Sequence, residues 1–71
     1  MNENVKKILA ENIRLQRARK KFSQEAIAEL AGIGQNQISA IENELANPNL
    51  DTLIKISNSL GIEIANLFIP Q

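Results

Sequence analysis

The 71-residue chain has eight Lys and Arg residues, eight Asp and Glu residues, and neither cysteine nor histidine. This length predicts one domain with a small core, and the missing residue types exclude disulfides, thiolate metal sites and histidine-based catalysis. No apolar run reaches the ~20 residues that cross a bilayer, and no signal-peptide pattern is present. We therefore expect a single domain over residues 1–71, with a core at about 9–68 and loose ends. We expect it in a cytoplasmic protein with no metal ion, cofactor or membrane partner.

The charges are unevenly distributed although the net charge is zero. Residues 1–21 contain seven Lys or Arg residues and two Glu residues, whereas residues 22–71 contain one Lys and six acidic residues. Such a dipolar chain is compatible with one face that meets a polyanion. The basic cluster at residues 17–21 is equally compatible with a solvated helix end.

The first part of the chain predicts a helix. Its apolar residues recur at helical spacing, at Val5, Ile8, Leu9 and Ile13. Helix 1 is therefore expected over about residues 4–19. The basic residues near its end suit the negative end of the helix dipole, and Phe22 is expected to pack inward from the following loop.

The stretch QEAIAELAGIGQNQISAIEN, residues 24–43, predicts two short helices joined by a tight turn. Helix 2 is expected at about 24–31 and helix 3 at about 35–43. Gly32 is placed to end helix 2 in a left-handed conformation, and Gly34 falls at the N-cap of helix 3, where it supplies no side-chain acceptor. The apolar positions expected to close both helices over one core are Ile27, Leu30, Ile33, Ile38 and Ile41. This is a helix-turn-helix pattern, which favours DNA recognition.

The last part of the chain predicts one longer helix and a short final turn. Pro48 predicts a turn, and Asn49 is placed to cap helix 4, which Gly61 ends. The apolar face of helix 4 is expected to contain Leu50, Leu53, Ile54, Ile56 and Leu60. Residues 62–68 predict a last helical turn. Because no segment alternates with period two, the predicted fold class is all-α, as a compact five-helix domain.

Helix 3 has a face that suits base edges. Successive helix residues turn by about 100°, so Asn36, Ala40 and Asn43 lie opposite the apolar direction of Ile38, Ile41 and Leu45. Ser39 lies beside this face, and Gln35 and Gln37 flank it. An Asn or Gln amide can pair with adenine N7 and N6 together, and a small residue can contact the thymine methyl group. Amides are also tolerated on any solvent-exposed helix face, so this feature gains its weight from the turn and core spacing around it.

Glu42 lies near the buried direction of helix 3, and an acid there needs a partner. Arg17 follows Ile13 by one helical turn near the end of helix 1. We therefore predict a structural Arg17–Glu42 ion pair that joins helix 1 to helix 3. Removing one partner of such a pair costs ~3–5 kcal/mol.

The chain resembles the phage repressor and Cro family, also called the Xre-type helix-turn-helix. The resemblance covers about residues 9–68. The segments that carry it are the Ile13…Arg17 spacing, SQEAIA at 23–28, Gly32-Ile33, ISAIE at 38–42, NPNLDTL at 47–53, Leu60-Gly61-Ile62 and Leu67-Phe68. The resemblance implies five helices and a homodimer bound to a pseudo-palindromic operator in double-stranded DNA.

The resemblance also implies roles for individual residues. The residues implied to contact bases are Gln35, Asn36, Gln37 and Ala40. The residues implied or expected to contact phosphate are Gln24, Ser39 and Asn43, together with the basic residues Arg14, Arg19, Lys20 and Lys21. The chain departs from the family at Glu44, where glycine is usual, and its following loop has no basic residue.

Two function classes remain open from the sequence. The first is a dimeric transcription regulator, such as a restriction–modification controller or a phage-type regulator. Its dimer surface is expected among late apolar residues that could equally cap the core: Ile62, Ile64, Leu67, Phe68 and Ile69. The second is a protein-binding module such as an antitoxin, which the zero net charge and Glu44 favour. An enzyme is not expected, because histidine and cysteine are missing and the acids are scattered, and no small-molecule ligand is expected.

Overall fold

A computed structural model describes all residues, Met1–Gln71. It contains α1 (Glu3–Lys20), α2 (Gln24–Ala31), α3 (Gln35–Glu42), α4 (Leu50–Leu60) and a 3-10 helix (Ile64–Phe68). The expected all-helical class is confirmed. The expected count of five helices holds only if the last element is included, because that element is a single short 3-10 segment and not an α-helix. None of the helices has the length and apolar character needed to cross a membrane.

Local sequence signals account for the helix ends. Asn2, Ser23 and Asn49 are N-caps whose side chains accept hydrogen bonds from backbone amides inside α1, α2 and α4. Such caps satisfy donors that the first helical turn leaves free. Gly32 and Gly61 end α2 and α4 with φ values of 71° and 69°, a region that glycine enters without steric cost.

The core lies where the helices meet. The fully buried large side chains come from every element: Leu9, Ile13, Ile27, Ile38, Ile56, Leu60 and Leu67. Phe22 and Ile33 are partly buried against this core. Helix α2 packs on α3 and α4, while α1 packs on α3 and on the 3-10 helix. The helix-turn-helix unit is therefore held from behind by α1 and α4.

Four residues that the spacing assigned to the core are exposed. Leu30 and Leu45 are 61% and 80% exposed, and Leu50 and Ile54 are 65% and 40% exposed. For Leu45 the reason is that α3 ends at Glu42, so Leu45 does not continue the helical spacing. Each of the other three lies at the edge of an apolar stripe, on a side of its helix that no neighbouring element covers.

Asn12 ties the end of the chain to α1. Its side chain is 3% exposed, and its Nδ2 donates to the carbonyl oxygens of Leu67 and Ile69 at 2.8 and 2.9 Å. The contact satisfies a buried amide and two backbone acceptors that the short 3-10 helix leaves free. Leu67 is fully buried in this arrangement. It was expected at a dimer surface, and this assignment is wrong because its side chain fills the core.

Candidate nucleic-acid interface

The turn between α2 and α3 sets the angle of α3. Gly32 carries the chain out of α2, and the amide of Ile33 donates to the carbonyl oxygen of Ala28 at 3.0 Å. Ala28 itself is 4% exposed, and its small side chain allows the two helices to approach closely. Buried Ile38 and Ile41 then hold the inner face of α3 against the core.

The outer face of α3 is polar and open. Gln35, Asn36, Gln37 and Asn43 are exposed, and Ala40 is partly exposed beside them. Between this face and the loop before α4 lies a groove of about 400 Å³. The groove is lined by Asn36, Gln37, Ala40, Ile41, residues 46–49 and Thr52. The structure therefore brings the residues predicted to contact bases together on one accessible surface.

Gln37 has a role at the helix end that the sequence reasoning missed. Its Oε1 accepts a hydrogen bond from the amide of Gly34 at 3.0 Å, so Gln37 folds back over the start of α3. Glycine at the N-cap followed by glutamine three residues later is the signal that could have shown this, since the reciprocal half of a capping box needs only the glutamine. The Oε1 of Gln37 is thus engaged, while its Nε2 stays available.

Two residues expected to contact phosphate bond to each other. The Nδ2 of Asn43 donates to the backbone oxygen of Ser39 at 2.9 Å and to its Oγ at 3.3 Å. These contacts fix the side chain of Asn43 over the last turn of α3. Both side chains remain at the surface near the C-terminal end of the helix.

The predicted ion pair is present behind this surface. The Nε of Arg17 lies 2.6 Å from Oε2 of Glu42, and its Nη2 lies 2.8 Å from Oε1. Gln24 donates to Oε1 at 3.2 Å, and Arg17 also donates to the carbonyl oxygen of Phe22 at 3.0 Å. The Glu42 side chain is 3% exposed, so every oxygen of a buried carboxylate has a donor.

The charge state of Arg17 follows from this contact. Its pKa is raised above its already high ordinary value, chiefly because its side chain donates hydrogen bonds to Glu42. Partial burial lowers the pKa, and the negative charge of Glu42 raises it further. Arg17 is therefore a cation at neutral pH, and its hydrogen bonds to Glu42 join α1 to α3.

Arg14 contacts the end of α3, which the sequence did not indicate. It was expected to contact phosphate, but its Nη1 donates to the backbone carbonyl oxygen of Glu42. That oxygen belongs to the last turn of α3, where carbonyl groups have no partner within the helix. Arg14 and Arg17 are three residues apart on one face of α1, so both bind the same end of α3.

Three further basic residues were predicted to contact phosphate. Arg19, Lys20 and Lys21 are exposed. The Nζ of Lys20 lies 3.7 Å from the position that a Cβ of Gly61 would occupy, beside the C-terminal end of α4. Lys21 ends α1 in a left-handed conformation with φ 59°.

No three carboxylates lie close enough together to hold a metal ion. The acidic residue that stands out is Glu44, whose φ of 62° is the second left-handed value at a non-glycine residue. This conformation explains why glycine would suit the position. It also places a negative charge just past the end of α3.

An exposed amide face on α3, braced by α2 and by two arginines of α1, defines a helix-turn-helix DNA-binding protein. The helix-turn-helix family model HTH_3 matches residues 13–67. The chain belongs to this family, which confirms the Xre-type resemblance, and it is a DNA-binding transcription regulator of the helix-turn-helix type.

Two relatives resemble the chain in sequence. Control protein C.SmaI from Serratia marcescens is 35% identical over 68 residues, which cover 96% of this chain and 81% of that protein. A hypothetical transcription factor from Neisseria meningitidis serogroup B is 32% identical over 68 residues. These residues cover 96% of this chain and 64% of the Neisseria protein, so this chain spans somewhat less than two thirds of that protein.

Two solved structures share the fold. The hypothetical transcription factor NHTF from Neisseria superimposes with a TM-score of 0.91 at 32% identity, over 99% of this chain and 82% of that chain. The restriction-modification controller protein C.AhdI from Aeromonas hydrophila superimposes with a TM-score of 0.86 at 28% identity, over 89% of this chain and 96% of that chain.

Proposed function

We propose that this chain is a sequence-specific transcription regulator that binds a pseudo-palindromic operator as a homodimer. The observation that carries the proposal is the open amide face of α3, in which Gln35 and Asn36 project from a helix whose rear is fixed. An α-helix fits the major groove, and amides are suited to the adenine edge there. The names of C.SmaI and C.AhdI support a more specific role as a controller of restriction–modification genes.

In this proposal Gln35 and Asn36 contact bases and Ala40 contacts a thymine methyl group. The exposed side chains of Gln35 and Asn36 make no hydrogen bond within the protein that would compete with a base. Gln37 contributes chiefly its free Nε2, since its Oε1 already accepts from Gly34. Each well-formed base contact is worth about 1–3 kcal/mol of discrimination.

The proposed phosphate contacts surround this face. Gln24 begins α2, Asn43 is the C-cap of α3 and Ser39 lies one turn before it. Contacts within the protein fix the side chains of Gln24 and Asn43. Arg19, Lys20 and Lys21 supply exposed cations at the end of α1. Phosphate contacts hold a helix in register and give affinity that falls with salt. Arg14 acts mainly through its bond to the end of α3 and secondarily as a cation.

The proposed dimer surface differs from the sequence expectation. Phe68 and Ile69 are 36% and 50% exposed, and Leu50 and Ile54 lie one turn apart on the neighbouring α4. Ile62 and Ile64 are partly buried against the core and contribute only their edges, and Leu67 contributes nothing. We assign the four exposed side chains to one apolar surface, because contiguous exposed apolar patches are typical of interaction sites. A symmetric dimer then sets its two α3 helices ~34 Å apart, one turn of DNA.

Selection of bound duplexes from random DNA tests the function. The expected result is a palindrome whose half-sites are centred about one turn apart. Gln35→Ala and Asn36→Ala should then weaken operator binding by about 1–3 kcal/mol each without changing the circular dichroism spectrum. Asn58→Ala removes an exposed amide from α4 and serves as the matched control. Operator binding that is unchanged in both α3 variants contradicts the assignment.

A protein-binding module, such as an antitoxin, is the second candidate. It is favoured by Leu30, which is exposed beside a surface hollow between α2 and α4, and by Glu44 near the proposed DNA surface. Leu30→Ser distinguishes the two functions, because DNA binding should not change while binding to a protein partner should be lost. A genomic neighbourhood with a nuclease–methylase pair supports the controller, and a toxin gene supports the antitoxin.

A further inference from the structure

Gly34 is the N-cap of α3 and the one N-cap among the four α-helices that has no side chain. Its φ of −74° and ψ of 147° are ordinary extended values that any residue adopts. Serine or asparagine at this position would accept a hydrogen bond from the helix and stabilise it. The backbone conformation therefore gives no reason for glycine, and the reason lies in what surrounds it.

The space beside the Gly34 Cα is taken by Asn36. A Cβ built on Gly34 would lie 2.7 Å from Oδ1 of Asn36 and 3.9 Å from its Cγ. A contact of 2.7 Å is too short for a carbon and an oxygen that share no bond, so any residue other than glycine forces the Asn36 side chain to turn. The Asn36 side chain is exposed and can turn at little cost, so a side chain at position 34 would exclude the present conformation of Asn36 without disturbing the helix.

Gly34 also touches the second amide of this turn. Its backbone N–H donates to Oε1 of Gln37 at 3.0 Å, while a Cβ at Gly34 would make only an ordinary contact of 3.9 Å with that oxygen. A side chain at position 34 would therefore leave Gln37 in place. A substitution at Gly34 should therefore move the Asn36 side chain but not the Gln37 side chain, so its effect on Asn36 can be measured separately.

We infer that Gly34 is a positioning residue for base specificity, which acts by leaving room for the present conformation of Asn36, the one that we assign to the DNA contact. This inference rests on the proposed function of α3. The structure also distinguishes the base contacts that the three amide side chains at the start of α3 can make. Gln37 already accepts one hydrogen bond at the helix cap and offers a base mainly its Nε2 donor, whereas bidentate pairing with adenine belongs to Gln35 and Asn36.

The test is Gly34→Ser, which adds both a capping acceptor and a Cβ. Thermal stability should stay the same or rise, because serine at least equals glycine as an N-cap. Base preference should nevertheless fall about tenfold at the operator position that Asn36 contacts, within the range of one lost base contact. The measurement is competition binding against operators that carry every single base-pair change. A purely structural role would not move stability and base preference in opposite directions.

Two further variants make the test specific. In an Asn36→Ala background, Gly34→Ser should cause no additional loss of preference, because the side chain it displaces is gone. Asn2→Ser changes the N-cap of α1 by similar chemistry and should leave base preference intact. If Gly34→Ser does not fold, Gly34→Ala supplies the same Cβ, and NMR of the free protein should show a shifted Asn36 side-chain amide.

The outcomes separate the inference from the function on which it rests. If Gly34→Ser keeps the wild-type base preference while Asn36→Ala loses it, Gly34 does not position Asn36, and the proposed function stands. If the wild-type protein prefers no sequence at all, the inference and the proposed function both fail.

Discussion

The Arg17–Glu42 pair gives the sharpest stability prediction. Arg17→Met keeps an unbranched apolar stem and removes the cation that faces a carboxylate that is only 3% exposed. Glu42 then loses donors at 2.6 and 2.8 Å and keeps only Gln24 at 3.2 Å. Leaving a buried charge unpaired costs about 3–5 kcal/mol. A domain of this size has a free energy of unfolding of about 4–10 kcal/mol, so the variant should lose roughly a third or more of its stability.

The companion variants separate charge from packing. Arg17→Met combined with Glu42→Leu removes the unpaired charge, and its free energy of unfolding should return to within about 1–2 kcal/mol of wild type. Glu42→Gln alone should cost less than Arg17→Met, about 1–2 kcal/mol. The reason is that the Arg17 side chain is 21% exposed and can keep water as a partner.

Urea unfolding followed by far-ultraviolet circular dichroism measures these free energies. The protein concentration must be equal for all variants, because a dimer would make stability depend on it. A loss below about 1 kcal/mol for Arg17→Met would show that Glu42 is solvated and that the burial argument is wrong. A double variant as unstable as Arg17→Met would show that the loss comes from packing.

Three further predictions concern DNA binding and assembly. Arg14→Gln should weaken operator binding with little change in its salt dependence, because Arg14 bonds to the end of α3. Arg19→Gln should instead lower the slope of binding affinity against salt concentration by about 0.9. Titrations at several salt concentrations compare the two variants, and equal slope changes would assign Arg14 to phosphate. Glu44→Gly and Lys21→Gly each remove the backbone strain of a non-glycine residue in the left-handed conformation, so each should raise the free energy of unfolding by about 0.5–1 kcal/mol. Only Glu44→Gly should also tighten DNA binding. Loss of stability in both variants would refute the strain argument. Ile54→Asp should convert a dimer to a folded monomer in sedimentation equilibrium, with weaker operator binding, and an unchanged mass would place the dimer surface elsewhere.

Most of the helical layout could be predicted from local signals. The glycines Gly32 and Gly61 and the cap residue Asn49 fixed the ends of α2 and α4 to the residue, because these signals act within a few residues of the backbone groups they satisfy. The final element was the weakest prediction, since five residues can form one turn of either helix type and packing decides between them.

The candidate site could be predicted in outline but not in its hydrogen bonds. The Arg17–Glu42 pair followed from angular position alone, because an acid near the buried direction must find a cation. The bond from Arg14 to a backbone oxygen gave no such signal, since every helix end has free carbonyl groups. The exposure of Leu30 likewise depends on which neighbours cover each side of α2, and spacing along one helix does not contain this information.

The sequence by itself determined the class of fold, the position of the turn and the face of α3 that stays polar. These depend on periodicity and on residues such as Gly32 whose backbone preferences are intrinsic. Only the tertiary structure decided that Arg14 bonds to the end of α3 and that Leu67 lies in the core. Each of these depends on atoms in three dimensions, where a distance of one ångström separates a hydrogen bond from an open surface.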